Sequence, residues 1–282
     1  MKHLVRLACL VLVTLLLPAP ASAAAPWASV PEWSGLKADG RARVERLAGE
    51  LKAYGACSDS VAACFERGSR VGRRLARVIA YLVKQGGADD DVRRIVDERR
   101  AAFGAAPQTI DLGSSPSLGP AAAQLTVVEF ADYECPYCAA MTPVLKEAVT
   151  ALGGKARLVF KYFPLKGHKG SLPAARAAFA AAAKGKFWEM SELLFKNIDD
   201  HDPGDLEGYA KKLGLDVEAF RAAAASPDAL KAVERDKDLG LRLGVRATPS
   251  LFVNGRPMEP SVDRFLLTDR LEEELDRAEG RN

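Results

Sequence analysis

The chain has 282 residues, 48% of them hydrophobic, and a formal net charge of +3. That length accommodates one large domain or two of ordinary size, each with a real core. So small a net charge gives no reason to expect nucleic acid or an acidic membrane as partner, and partners must be argued from sites.

Lys2 and Arg6 precede an apolar run from Leu7 to Leu17, which Pro18 closes before the small residues Ala19 to Ala25. The run falls short of the about 20 apolar residues that a spanning helix needs, so residues 1–25 read as a secretory signal peptide cleaved after Ala23 or Ala25. An uncleaved anchor is the alternative. Export would place the mature chain in the periplasm or another extracytoplasmic space. Cys9 leaves with the leader. What stays is Cys57, Cys64, Cys135 and Cys138, an even number in a compartment where disulfides persist.

Residues 26–104 read as a small all-α domain. Val71, Leu75, Val78, Ile79 and Leu82 fall on one apolar face. Gly86 and Gly87 stop that helix, and the acids Asp89, Asp90 and Asp91 begin another, with Val92, Ile95, Val96 and Phe103 inward. Arg67, Arg70, Arg73, Arg74 and Arg77 lie largely opposite the apolar stripe and read as a solvated face rather than a binding patch. Residues 105–124 turn to Pro, Gly, Ser and Ala without periodicity, as in a linker.

The second domain, 125–282, opens with a buried strand at 125–130 (LTVVEF), the sequence CPYC, and a helix carrying Met141, Val144, Leu145, Ala148 and Val149, with Pro143 placed to kink it. A strand at 156–162 completes a strand-helix-strand unit with parallel strands. An alanine-rich helical stretch runs from Leu172 to about Leu241, broken at Gly185, around Pro203, at Gly214 and at Ser226-Pro227. Thr248-Pro249 then precedes a strand at 250–253, an Asn254-Gly255 turn and a short strand at 256–258, a hairpin signal. Ser261 is placed to cap the last helix.

Two cysteines separated by two residues at a helix start are placed for disulfide exchange. The first sulfur meets unpaired backbone N–H groups and the positive end of the helix dipole, which favour its thiolate. Cys135 is then the nucleophile and Cys138, one turn inward, the resolving thiol. Pro136 suits the first helical turn. The acids Asp132 and Glu134 stand against this, because a nearby carboxylate opposes a thiolate and offsets part of the helix effect. A structural disulfide across so short a loop is a poor staple. A zinc half-site would need two further ligands, which neither Cys57 and Cys64 nor the isolated His168 and His201 supply at metal spacing.

Residues 130–138 (FADYECPYC), followed far downstream by 244–255 (GVRATPSLFVNG), resemble the DsbA family of bacterial periplasmic thiol–disulfide oxidoreductases. The resemblance covers about residues 125–279. It implies an α/β class chain with a thioredoxin fold of four central strands and a DsbA-like helical insertion. It also implies a cis-proline loop at Thr248-Pro249 that faces the active site and contacts bound polypeptide. Pro136 and Tyr137 between the cysteines would tune the redox balance, and Pro-Tyr resembles glutaredoxins more than the strongest oxidants. His168 lies in the loop after the second strand, where related proteins often carry a histidine, though a solvated loop residue is the plainer reading.

Residues 82–92 (LVKQGGADDDV) more faintly resemble the helical hairpin of the thiol-reducing subunits of cytochrome c maturation. That family carries a CxxC ahead of its hairpin, whereas Cys57 and Cys64 are six residues apart. Seven helical steps would separate their Cα atoms by about 10 Å, beyond disulfide reach, unless Cys57 precedes the helix that Ser58, Asp59 and Ser60 can begin. We read Cys57 and Cys64 as a structural disulfide, with a second redox pair or free thiols as alternatives.

The sequence thus leads us to expect an exported thiol–disulfide oxidoreductase acting on polypeptide thiols or disulfides through Cys135 and Cys138, most simply in oxidative protein folding. No bound cofactor or metal is called for. A membrane redox partner is implied, and nucleic acid is not. A reductase or isomerase, linked to cytochrome c maturation, is one alternative. A non-catalytic peptide-binding or chaperone module is the other.

Overall fold

The structure, a computed structural model, describes residues 26–281, so the leader expected at 1–25 lies outside the described residues. Two short 3-10 turns lead into α1 (Ala38–Glu50), α2 (Val61–Glu66), α3 (Arg70–Lys84) and α4 (Asp89–Gly104). Ser69 caps α3 by accepting from the Gly72 N–H, and the face carrying Val71, Leu75, Val78, Ile79 and Leu82 is buried. Gly72 has a packing role: a Cβ there would stand 2.5 Å from the backbone of Cys64 and Phe65, so its absence lets α3 press directly on α2.

After a crossing segment come β1 (Ser117–Leu118), β2 (Leu125–Ala131), α5 (Pro136–Ala151) and β3 (Ala156–Tyr162). The sheet runs β1-β3-β2, and continues with β4 (Ser250–Val253) and β5 (Arg256–Met258). β2 and β3 are parallel, and every other pairing is antiparallel. Residues 105–124 are therefore not a plain linker. Ser117 and Leu118 pair with Val159 and Leu158 and make a fifth, edge strand where four were expected. Gln108 donates its N–H to the Gly255 carbonyl at the opposite edge. A two-residue strand in Pro/Gly/Ser-rich sequence has no periodicity to reveal it; its pairing is dictated by β3 beside it.

Alternation along the strands divides the core. Leu125 and Val127 of β2, with Leu158 of β3 and Leu251 of β4, face α5 and α11 (Arg264–Ala278). Val128, Phe130, Val159 and Phe252 face the opposite side, against Phe163, Leu239 and Val245. Between β3 and β4 the chain inserts α6 (Ser171–Ala182), α7 (Phe187–Lys196), α8 (Pro203–Lys212), α9 (Val217–Ala225) and α10 (Pro227–Arg242). These helices break where the sequence places Gly185, Pro203, Gly214 and Ser226-Pro227. The fold is a thioredoxin fold with a DsbA-like helical insertion. A buried ion pair, Lys161 Nζ to Asp236 Oδ1 at 3.1 Å, ties α10 to β3.

The arginine face is solvated at Arg67, Arg70 and Arg73, which are exposed, but not at Arg74. α11 folds back against it, so that Arg74 pairs with Asp269 and Asp276 while Arg77 pairs with Glu32 and stands over the Phe265 ring. The buried Arg99 of α4 pairs with the buried Asp269, and Tyr54 donates to the buried Glu273. The helical unit and the sheet domain thus share a desolvated ionic layer in which each buried charge has an opposite partner. Asp263, not Ser261, caps α11, accepting from the Leu266 N–H, while the Ser261 hydroxyl accepts from the Asp263 N–H.

Candidate active site

The register Phe130↔Ser250 sets the residues just after β2 opposite those just before β4. Cys135 and Thr248 are brought together by that pairing, and Cys135 Sγ lies 3.3 Å from the Thr248 carbonyl oxygen. The Thr248-Pro249 peptide is cis. Cys135 occupies the N-cap of α5, with Pro136 in the first turn. Its own N–H is taken by the Asp132 carbonyl, and its carbonyl accepts the first helical bond from Ala139. Cys138 lies one turn in, fully buried, and Cys135 is 4% exposed, while Tyr137 stands 72% exposed beside them. Both thiols are free.

The two thiols differ in acidity. Cys135 is pulled down to about 5, chiefly by hydrogen bonding from the Cys138 thiol, against an opposing effect of burial. The Thr248 side chain also favours the thiolate, as do the backbone N–H groups of Cys138 and Tyr137. These two N–H groups are unpaired donors of the first helical turn. Burial pushes Cys138 strongly upward, and bonding to Cys135 adds to this. One sulfur is therefore favoured as thiolate at neutral pH and the other as thiol.

The two acids ahead of the motif have other partners. Asp132, fully buried, accepts from the N–H groups of Leu165 and Glu134, from the Ser171 hydroxyl, and contacts His168 Nδ1 at 2.9 Å. Glu134 accepts from the Ser171 N–H at the start of α6. Their carboxylates hold the loop and the insertion together. His168 serves this cluster, and His201 is buried with Nε2 3.1 Å from the Leu194 carbonyl.

Sequence reasoning passed over Glu129. Alternation puts it on the α5 face of β2, where it is completely buried, accepts from the Thr142 hydroxyl at 2.8 Å through Oε1, and leaves Oε2 without a partner. Burial pushes its carboxyl up to about 8, partly countered by Thr142 and reinforced by charge on Cys135. A lone acid inside an otherwise apolar strand was the available signal.

Cys57 and Cys64 are elsewhere, bonded to each other in the helical unit with Cα atoms 5.9 Å apart. Cys57 precedes α2, so the spacing of a continuous helix does not apply. Among the described residues, no group of three His, Cys, Asp or Glu side chains could hold a metal ion.

Residues 111–268 match a family model described as thioredoxin. A thioredoxin-like oxidoreductase from Silicibacter pomeroyi DSS-3 is 30% identical in sequence; the match covers 57% of this chain and 92% of that one, with a TM-score of 0.52. The α-DsbA1 of Wolbachia pipientis, 20% identical, covers 61% of this chain and 96% of its own with a TM-score of 0.54, a likeness of fold. The Na(+)/H(+) antiporter NhaA of Herminiimonas arsenicoxydans is 41% identical over 154 residues, which are 55% of this chain and 24% of that protein. The chain spans about a quarter of the length of the curated relatives it matches. Among the described residues, no helix is long and apolar enough to cross a membrane.

Proposed function

Since the chain belongs to the thioredoxin family, we propose that it is an exported thiol–disulfide oxidoreductase that passes disulfides to polypeptide thiols through Cys135 and Cys138. The observation that carries this reading is the asymmetry of the pair: Cys135 at about 5 and Cys138 pushed far up, at the start of one helix. A stabilised Cys135 thiolate stabilises the reduced form, which makes the disulfide an oxidant. In the forward reaction a client thiolate attacks Cys135 of the disulfide and Cys138 leaves. A second client thiolate then attacks its own sulfur in the mixed disulfide and releases Cys135. Two electrons pass from the client dithiol to the pair, and a membrane redox partner would withdraw them again.

Thr248 and Pro249 form the wall facing Cys135, where an extended client can lie. Pro136 and Tyr137 tune the pair from between its members. Antiport belongs to the long relatives and is not part of this reading. The test is oxidative refolding of a reduced, denatured client protein. Cys135→Ser should abolish the acceleration and Cys138→Ser should accumulate mixed disulfides. Full activity in Cys135→Ser would overturn the reading. Reduction of clients in preference to oxidation, in a glutathione buffer of defined ratio, would reassign it to the reductase class.

A further inference from the structure

We propose that the Cys57–Cys64 disulfide is a second thiol–disulfide exchange centre, with Cys57 as the attacked sulfur and Arg67 as the residue that stabilises charge on it. The two sulfurs are unequally placed. Cys64 is completely buried in α2, its backbone pressed against Gly72, and it cannot be approached from solvent. Cys57 is only half-buried and lines an open cavity of 680 Å³ bounded by Asp59, Arg67, Gly68, Arg70 and Arg281. An inert staple would gain nothing from this asymmetry; an exchange centre needs one reachable and one sheltered sulfur.

Arg67 supplies the second observation. Its Nη2 lies 3.4 Å from Cys57 Sγ, and the same nitrogen donates to Asp59 Oδ2 at 3.0 Å. Asp59 thereby aims the guanidinium, though it shares the charge; Lys52, 4.0 Å from Asp59, compensates in part. In thiol–disulfide exchange, negative charge spreads over the attacking, central and leaving sulfurs, so a cation at the central sulfur lowers the barrier. Cys57 lies in a loop closed by the bond from the Ala53 N–H to the Asp59 carbonyl, outside any helix, so it can part from Cys64 while α2 stays docked.

The step balances with a dithiol as reductant. Its first thiolate attacks Cys57 Sγ, the Cys57–Cys64 bond breaks, and Cys64 leaves and takes up a proton. The second thiolate of the dithiol attacks its own sulfur in the mixed disulfide and releases Cys57 as thiolate beside Arg67, or as thiol. Two electrons enter the protein, and the dithiol becomes a disulfide. This centre lies outside the thioredoxin match and does not depend on the CPYC reading.

The experiment uses the full chain carrying Cys135→Ser and Cys138→Ser, oxidised and then exposed to dithiothreitol at neutral pH. Free thiols are alkylated and counted by mass, while circular dichroism follows the fold. The expected result is complete, reversible reduction of Cys57–Cys64 in the folded chain. Arg67→Gln should react about tenfold more slowly at low salt, with a smaller deficit at high salt, and Arg67→Lys should recover most of the rate. Reduction that occurs only as the chain unfolds would overturn the proposal, as would equal rates for Arg67→Gln and the parent. Arg67 is exposed, so its substitution leaves the core intact.

Discussion

The hydroxyl of Thr142 donates to Glu129 Oε1 at 2.8 Å inside the core, and the other carboxylate oxygen of Glu129 has no partner. The folded carboxyl is therefore raised from 4.5 to about 8, mainly by burial. A raised acid binds more protons folded than unfolded, so stability is lost as pH rises from 4.5 to 8, by at most about 1.4 kcal/mol per pH unit. Urea unfolding of the oxidised protein at pH 5, 6, 7 and 8 should show this decline. Glu129→Gln should flatten it.

The Cys135 thiol has the opposite linkage. Its folded value of about 5 lies below the ordinary 9, so the reduced protein gains stability as pH rises from 5 to 9 and loses it as pH falls through 5. The alkylation rate of reduced Cys138→Ser protein would mix two effects, because the Cys138 thiol is the chief cause of the depression. The parent protein is therefore the one to titrate, following thiolate absorbance at 240 nm. The midpoint should lie near 5, and Thr248→Val should move it up by roughly half a unit to one unit, the size expected from one ordinary hydrogen bond. An unchanged midpoint would remove Thr248 from the account of the thiolate.

Asp132 holds four donors or contacts at the neck of the active-site loop. Asp132→Ala strands the part-buried N–H groups of Leu165 and Glu134, and should cost about 1–3 kcal/mol of stability. It should also slow client oxidation while leaving Cys135 and Cys138 present. Denaturant midpoints and refolding rates measured side by side test both effects.

Asp269 is the shared partner of Arg74 and Arg99 under α11. Asp269→Ala leaves the buried Arg99 with Glu273 at 4.0 Å as its remaining carboxylate, and should destabilise the chain by about 3–5 kcal/mol. Calorimetry of the oxidised protein tests this, and a loss below 1 kcal/mol would mean that the ionic layer contributes nothing net.

Local pattern carried much of the fold. The apolar runs at 125–130 and 156–162, the Asn254-Gly255 turn and the breaks in the helical insertion each declare themselves within a few residues. The CPYC sequence and Thr248-Pro249 stood out in the same way, though only the pairing of β2 with β4 explains why Cys135 and Thr248 touch. What was illegible is non-local. Arg74 looks solvated on its own helix, because its partner Asp269 lies 195 residues away. Glu129 and Thr142 face each other through the geometry of a strand packed on a helix, and β1 exists only because β3 offers it an edge. Asp132 was noted as a charge near the thiol, yet its partners Leu165, His168 and Ser171 arrive from the far side of β3.

The short β1 strand has a further consequence for a protein proposed to handle clients that are still unfolded. An open strand edge would recruit such chains by sheet extension and begin aggregation instead of releasing a product. Here β3 is covered at Val159 and Leu158 by Ser117 and Leu118, with the Phe160 N–H taken by the Pro116 carbonyl. The opposite margin is three residues long, carries Pro257, and has the Gly255 carbonyl engaged by Gln108. The segment that joins the two halves of the molecule therefore also guards both margins of the sheet, leaving the thiol face as the place where an extended chain can settle.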